Sequence, residues 1–179
     1  MTKDKRGYNI QDILAEMKDE YWQGLAEIEA EYEEQLECIT FHLGGETYAF
    51  ETVYAAEVIR MPKLVNLPRV QEIITGVFNL RGEILAAMDI RSLLGLPREP
   101  LTASGRIIVL KSEKFSTGLL VEAVRGVESL SLDSFEPAPK SLAAPQRELI
   151  RGQVTSGEGL VMLLDVLKLM ASPEIIVNQ

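Results

Sequence analysis

Several residue types on which common protein chemistries depend are scarce in this chain of 179 residues. It has one cysteine, Cys38, which excludes an internal disulfide, and one histidine, His42, which leaves too few ligands for a His- or Cys-based metal site. No apolar run approaches the roughly 18 residues that cross a membrane, and the first residues lack the apolar core of a signal peptide. We therefore expect a cytoplasmic protein that has no metal, no cofactor and no membrane-inserted segment.

Basic residues are also few. The chain has 18 Lys and Arg against 27 Asp and Glu, a formal net charge of −9, which argues against nucleic acid as a partner. The imbalance lies at the start of the chain, because residues 1–39 hold 11 acids and 4 bases whereas residues 40–179 hold 16 acids and 14 bases. An acidic leader thus precedes a nearly neutral body.

The leader has a helical pattern. Its apolar residues recur at steps of three and four: Ile10, Leu14, Met17, Tyr21, Leu25, Ile28, Tyr32, Leu36 and Ile39. This spacing predicts a long amphipathic α-helix over residues 1–37, with Cys38 as a packing residue at its end. The apolar stripe requires a cover, which can be the body, a second copy or a partner helix. Self-association through residues 10–39 is one of these alternatives.

The body consists of short apolar segments separated by glycine and proline. Residues 40–43 and 47–50 flank Gly44-Gly45 and predict a β-hairpin, with His42 on its outer face. Loops are expected at Pro97–Gly105 and Asp133–Gln146. Many short strands with few helices favour a mostly β fold of small barrels. Further strands are predicted at 54–59, 75–80, 83–88, 106–111, 116–121, 124–131, 149–155 and 159–164.

The body also repeats itself. Residues 74–94 resemble residues 150–170, and in each copy a glycine precedes a strand, a turn and a second apolar strand that ends at an aspartate. These aspartates, Asp89 and Asp165, are predicted to cap short helices. The repeat predicts two similar barrels, one built mainly from the first half of the body and one mainly from the second.

The two copies differ in their turns, where Arg81 in the first corresponds to Gly157 in the second. Turns of this length favour Gly, Asn or Ser, and Asn79 and Gly82 fit that preference whereas Arg81 does not. Two interpretations stay open. The guanidinium either binds a carboxylate or carbonyl of a partner protein, or it pairs with a nearby glutamate of its own chain.

Several ordered motifs resemble the chemotaxis coupling protein (CheW) family over about residues 38–171. The string G-x-x-N-L-R-G followed seven residues later by Asp is the most specific part. The motifs are Phe41-x-Leu43-Gly44-Gly45-Glu46-x-Tyr48, Glu57-Val58, Gly76-Val77-Phe78-Asn79-Leu80-Arg81-Gly82, Asp89-Ile90-Arg91 and Leu163-Leu164-Asp165.

The resemblance implies two five-stranded, SH3-like β-barrels within residues 38–171, a C-terminal tail at 172–179, and no catalysis. It implies an adaptor that connects the cytoplasmic tips of chemoreceptors to the regulatory domain of a CheA-type histidine kinase at membrane-associated receptor arrays. By motif match, Arg81 and Glu57 lie on partner-binding surfaces, with Asn79 and Gly82 shaping the turn. Kinase contact in the family uses the exposed face of the first barrel. The acidic leader is not part of the family's minimal domain.

Two other functions are weighed against the adaptor. The leader helix would favour an oligomeric structural or interaction protein in a related motility or signalling pathway. A carboxylate-based hydrolase would need an acid–base pair, for which Glu57 and Glu83 are the candidates, but the sequence has no phosphate loop or nucleophile motif to accompany them.

Overall fold

The computed structural model describes residue 15 and residues 17–22, 34–157 and 159–173. The chain divides into two compact units, Met1–Glu34 and Gln35–Gln179. In the first unit, residues 17–22 are helical, and the Tyr21 and Trp22 rings make an edge contact with centroids 6.0 Å apart. Most of the predicted leader helix, and the tail beyond residue 173, lie outside the described residues.

The C-terminal end of the leader prediction is wrong, because a strand begins at Gln35 and places Cys38 inside a sheet. In this strand Leu36 and Cys38 face one apolar cluster, whereas Ile39 and Phe41 belong to another. A strand that packs on a core at each face has apolar residues on both faces. Leu36 and Ile39 of β1 therefore also fit the helical spacing by coincidence.

The second unit is mostly β. Every strand predicted from the sequence is present, although the loop expected at Asp133–Gln146 also contains a two-residue strand and the start of a helix. The strands are β1 Gln35–Leu43, β2 Glu46–Glu51, β3 Ala55–Arg60, β4 Ile74–Leu80, β5 Glu83–Met88, β6 Arg106–Lys111, β7 Ser116–Val121, β8 Ala123–Ser131, β9 Glu136–Pro137, β10 Ile150–Ser156 and β11 Gly159–Leu164; the helices are α1 Ala144–Leu149 and α2 Val166–Ala171, with 3-10 turns at Thr52–Tyr54 and Leu132–Ser134.

These strands form two sheets, ordered β8-β1-β2-β11-β10-β9 and β3-β6-β7-β5-β4. The predicted pair of barrels, one built mainly from the first half of the body and one mainly from the second, matches the two sheets in the majority of their strands, but each sheet also takes two strands from the other half. The first sheet joins β1 and β2 to the last four strands of the chain, and the second sheet takes the middle of the chain. Two parallel pairings, β2 with β11 and β5 with β7, place the β1–β2 hairpin beside the β10–β11 hairpin and the β4–β5 hairpin beside the β6–β7 hairpin.

Three apolar clusters hold the sheets. One lies within the second sheet and includes Phe78 and Ile107; one lies within the first sheet and includes Cys38 and Leu130. The largest is shared by both sheets and includes Phe41. Side chains alternate along β6, where residues 107 and 109 join the cluster of their own sheet and residues 108 and 110 join the shared one. Each sheet therefore surrounds a core of its own and packs its other face on a common core.

The sequence repeat corresponds to the β4–β5 and β10–β11 hairpins, which carry the same register irregularity beside Gly76 and Gly152. A Cβ atom at Gly76 would meet the Val65 carbonyl oxygen at 2.7 Å, and one at Gly152 would meet the carbonyl oxygen of Glu136. Both glycines are therefore required because another backbone segment pairs closely with the first strand of each hairpin.

The two aspartates of the repeat differ in role. Asp165 caps α2 as predicted, since its Oδ1 accepts from the Lys168 backbone N–H at 3.0 Å. No helix follows Asp89, so its predicted capping role is wrong; residues 91–95 form turns instead. Asp89 accepts from the Arg91 backbone N–H and binds the Arg91 guanidinium through both carboxylate oxygens, at 3.0 and 2.8 Å.

This ion pair is buried and connects the two sheets. The side chains of Asp89 and Arg91 are each 5% exposed. Arg91 Nη1 also donates to Glu122 Oε1 at 3.1 Å, and the same oxygen accepts from the backbone N–H of Gly44 in the β1–β2 turn at 3.0 Å. Arg98 Nε lies 3.5 Å from Asp89 Oδ2, the same oxygen that accepts from Arg91 Nη2. The cluster thus joins the end of β5 in one sheet to a turn of the other.

The surroundings of Asp89 favour its charged form. Burial by itself raises the pKa of this carboxyl, but hydrogen bonds from the side chain and backbone of Arg91, with the charges of Arg91 and Arg98, outweigh burial and hold the pKa below its ordinary value. The same contact raises the pKa of Arg91, whose charge is therefore retained.

Replacing Arg91 by alanine should destabilise the fold by about 3–5 kcal/mol, because it leaves the Asp89 carboxylate buried without its main partner. Urea denaturation measures the loss. Arg98→Ala is the matched control, since Arg98 is more exposed and contacts Asp89 at the longer distance. A loss below about 1 kcal/mol for Arg91→Ala would contradict this account.

The lowered pKa of Asp89 also predicts acid sensitivity. Because the folded pKa lies below the unfolded value of about 3.9, the contribution of this carboxylate is fully present above the unfolded pKa and is lost as pH falls through the folded one. The free energy of unfolding, measured from about pH 6 down to pH 2, should therefore fall more steeply for the native chain than for Asp89→Asn. Parallel curves would refute the assignment.

Candidate interaction surface

The β4–β5 turn has a specific geometry. Leu80 pairs with Glu83, and the two residues between them, Arg81 and Gly82, have φ of 52° and 93°. Positive φ at both central positions is typical of a type I′ hairpin turn, which favours Asn-Gly. The Asn79 side-chain oxygen accepts from the Gly82 backbone N–H at 3.0 Å. Asn79 and Gly82 therefore stabilise the turn, whereas Arg81 occupies a backbone conformation that a long side chain rarely adopts.

Arg81 binds Glu57 through two parallel hydrogen bonds. Nη1 donates to Oε1 at 2.8 Å and Nη2 donates to Oε2 at 2.9 Å. Glu57 belongs to β3, and β3 and β4 are the outermost strands of the second sheet. The ion pair therefore connects opposite edges of this sheet, which shows that the sheet curls until its edges approach one another.

The structure thus brings together the two main residues that the sequence singled out. Of the two interpretations of Arg81, pairing within the chain is confirmed, yet the pair is not buried. The Arg81 side chain is 78% exposed and that of Glu57 is 27% exposed. A bidentate ion pair fixes the orientation of both side chains, and the outer edge of the guanidinium still faces solvent. Pairing and presentation to a partner are compatible.

The hydrolase alternative finds no support in this geometry. Both oxygens of Glu57 accept hydrogen bonds from the Arg81 guanidinium, so the carboxylate is poorly placed to transfer a proton to or from a substrate. Glu83 occupies the other side of the turn and is exposed. Among residues 34–157 and 159–173, no group of three or more His, Cys, Asp or Glu side chains is arranged to hold a metal ion.

The two scarce residues have structural roles. Cys38 is buried in β1, where burial raises the pKa of its thiol to about 12, so it is a packing residue as predicted and not a nucleophile. His42 is half-buried and lies between the buried residues Phe41 and Leu43, so its ring is directed to the opposite side of β1. The ring Nδ1 lies 3.4 Å from the Thr47 hydroxyl.

Sequence analysis missed two exposed apolar features. On β3 and the chain that follows it, three apolar side chains are exposed, those of Val58, Val65 and Leu67. Elsewhere a groove of about 630 Å³ lies between the Thr52–Tyr54 turn, the β6–β7 turn and α2. The groove combines segments that are distant in sequence, so no local pattern indicates it.

Comparison with known proteins agrees with this architecture. The chain is 25% identical to the chemotaxis protein CheW of Treponema pallidum over 147 residues, which cover 80% of this chain and 86% of the relative. It is 28% identical to CheW of Klebsiella aerogenes, covering 77% and 83%. Protein PilI of Pseudomonas aeruginosa is 31% identical over 64% of each chain. The crystal structure of the scaffolding protein TtCheW from Thermoanaerobacter tengcongensis superimposes with a TM-score of 0.67 at 23% identity, covering 74% of this chain and 85% of that one, and so shares the fold.

Two packed sheets with an exposed, pre-oriented ion pair define a binding module of the scaffold class. The model of the CheW-like domain matches residues 37–174, and the chain belongs to this family. It is a chemotaxis coupling adaptor of the kind that connects chemoreceptors and a CheA-type kinase, and not an enzyme. Within the described part of the chain, no helix has the length and apolar character needed to span a bilayer.

Arg81→Asn should leave the free energy of unfolding within about 1 kcal/mol of the native chain. Asparagine suits the positive φ at this position, and an exposed ion pair contributes about 0.2–1 kcal/mol. Urea denaturation tests this, with Gly82→Ala as the destabilising control because alanine is strained at φ 93°. A loss above about 2 kcal/mol for Arg81→Asn would mean that the ion pair holds the sheet closed.

Proposed function

We propose that this cytoplasmic protein binds the tips of chemoreceptors and the regulatory domain of a CheA-type histidine kinase, at membrane-associated receptor arrays. In this proposal residues 38–171 form the coupling domain, with two SH3-like barrels. Arg81 and Glu57 contact the receptor, Asn79 and Gly82 hold the turn that presents Arg81, and the kinase binds an exposed face of the first barrel.

The observation that carries the proposal is the conformation of Arg81. An arginine at φ 52° is unfavourable in a turn that glycine or asparagine would form without strain. The equivalent hairpin of the same chain has Gly157 at this position, so the fold itself does not require an arginine. A strained, exposed and oriented guanidinium is instead what a binding surface requires.

The architecture supports an adaptor with separate surfaces. The first barrel corresponds to the sheet of β3 to β7, which also holds Arg81 and Glu57. Along β3 the side chains of Glu57 and the exposed Val58 point to opposite sides of the strand, so a receptor at the ion pair and a kinase on the exposed face need not compete for the same residues. Affinity at each surface can be modest, because many copies in an array raise the effective concentration of every partner.

Self-association through residues 10–39 stays a prediction, because most of these residues lie outside the described part of the chain. The same holds for a helical leader over residues 1–33, since residues 35–37 belong to β1, and for the tail beyond residue 173.

Exchanging the two charges tests the proposal. Arg81→Glu and Glu57→Arg should each weaken capture of a receptor cytoplasmic fragment by about tenfold or more, since each removes one charge that the partner meets. The double variant restores an internal ion pair but reverses the charge at both positions. We therefore expect it to recover stability without recovering receptor capture, as measured by pull-down and thermal denaturation.

Recovery of capture by the double variant would show that the pair acts only within the fold. Unchanged capture by both single variants would remove Arg81 and Glu57 from the receptor surface. Arg151→Glu is the matched control, because Arg151 also forms an exposed ion pair, with Glu51 at 2.7 Å, but on the other sheet.

A further inference from the structure

The two sheets are built on one strand plan. The second sheet, which holds Arg81, has the order β3-β6-β7-β5-β4, and five strands of the first sheet, β8-β1-β2-β11-β10, follow the same plan. In each sheet a parallel pairing falls at the same place, β7 with β5 in the second sheet and β2 with β11 in the first. Each of these strands therefore has a counterpart in the other sheet, and β3 corresponds to β8.

The register identifies the counterparts of the ion-paired residues. In its pairing with β6, strand β3 skips one residue just before Glu57. In its pairing with β1, strand β8 skips one residue in the same way just before Gly126. Gly126 therefore occupies the position of Glu57. The sequence repeat equates Arg81 with Gly157, and both lie in two-residue hairpin turns.

The exposed apolar side chains on these strands recur in both sheets. Val58 of β3 is 42% exposed, and its counterpart Val127 of β8 is 60% exposed. Ile84 of β5 is 62% exposed, and its counterpart Leu160 of β11 is 51% exposed. What distinguishes the two surfaces is the ion pair, because both of its charged residues are replaced by glycine in the first sheet.

The fold explains neither the ion pair nor the absence of side chains at both glycines. The edge of each repeat hairpin is covered by backbone, since β4 pairs with Val65 and β10 pairs with β9, so the first sheet has the same covered edge without the ion pair. A Cβ atom at Gly126 or Gly157 would meet no atom of the described residues within 4 Å, chain neighbours aside. The backbone itself favours glycine at Gly126, where φ is 152°, but not at Gly157.

We propose that Gly126 and Gly157 are specificity-determining residues that limit each chain to one receptor. They deprive the first sheet of the two charges with which the second sheet binds the receptor tip. The inference rests on the proposed function, in which Arg81 and Glu57 contact the receptor. Selectivity between two similar surfaces is a difference of affinities, and loss of a charged hydrogen-bonding pair from one surface supplies that difference.

The test transfers the ion pair to the first sheet by Gly126→Glu with Gly157→Arg in the full chain. The matched control is the reversed graft, Gly126→Arg with Gly157→Glu, which has the same composition, the same net charge and the same backbone strain. Calorimetry with a purified receptor cytoplasmic fragment measures the number of binding sites per chain. Thermal denaturation verifies that both variants are folded.

The grafted chain should bind twice as many receptor fragments per chain as the native chain, with affinities at the two sites within about tenfold of each other. The reversed graft should keep the native number of sites. When Arg81→Gly and Glu57→Gly are added to the graft, the number should return to the native value, because the receptor then binds only the first sheet.

Gly126→Glu introduces backbone strain, because a φ of 152° favours glycine. If the double graft does not fold, Gly157→Arg is measured alone, with Gly157→Glu as its control, since Gly157 has no positive φ. The arginine should still add a second receptor site that is weaker than the native one, because no carboxylate orients its guanidinium. Absence of that second site would overturn the inference.

Three further results would also overturn it. One is the native number of sites in a folded graft. Another is an added site in the reversed graft as well, which indicates a general effect of charge. The third is two sites in the native chain, one of which Leu160→Glu removes, which shows that the first sheet already binds the receptor.

These outcomes are separable from failure of the proposed function. If the receptor fragment does not bind the native chain, the proposed function itself fails. If it binds the native chain and Arg81→Gly with Glu57→Gly abolishes binding, the receptor site of the proposed function stands. A graft without a second site then refutes only the role of the two glycines.

Discussion

The buried contact of Asp89 with Arg91 and Glu122 is the interaction on which the arrangement of the two sheets depends. Apolar burial alone would let the sheets slide, because dispersion and the hydrophobic effect have little directional preference. The ion cluster adds direction, because its hydrogen bonds have defined geometry. Arg91 donates to both oxygens of Asp89 and the Gly44 N–H donates to Glu122, and these bonds form together in one relative position of the sheets. Its burial makes the loss of either partner costly, and so it specifies one arrangement.

The combination of distant strands in each sheet reinforces this constraint. The repeat hairpin β4–β5 shares its sheet with β3, β6 and β7, and the repeat hairpin β10–β11 shares its sheet with β1, β2, β8 and β9, so neither hairpin forms a sheet alone. The chain crosses between sheets at Thr52–Tyr54 and again at Glu122. Because Glu122 both occupies the second crossing and joins the ion cluster, the point at which the chain changes sheets is also the point at which the sheets are fixed to one another.

A rigid framework of this kind can hold one residue in an unfavourable backbone conformation. Arg81 occupies an unfavourable backbone conformation on a turn that Asn79 and the neighbouring strands hold in place. Arg81 is paired with Glu57 and is still 78% exposed, in a chain with a net charge of −9. On a scaffold protein, exposed charges can supply orientation and selectivity, because complementary charges align partners and like charges reject others.

The sequence by itself determined the strands, the Gly44-Gly45 hairpin, the duplicated hairpins and the unusual presence of Arg81 in its turn, because each depends on local spacing or on turn chemistry. Only the tertiary structure decided which strand pairs with which, that β1 and not a helix holds Cys38, and that Asp89 binds Arg91 instead of capping a helix. It also placed Glu57 beside Arg81. These outcomes depend on contacts between residues far apart in the chain, and one-dimensional periodicity contains no information about which distant segments meet.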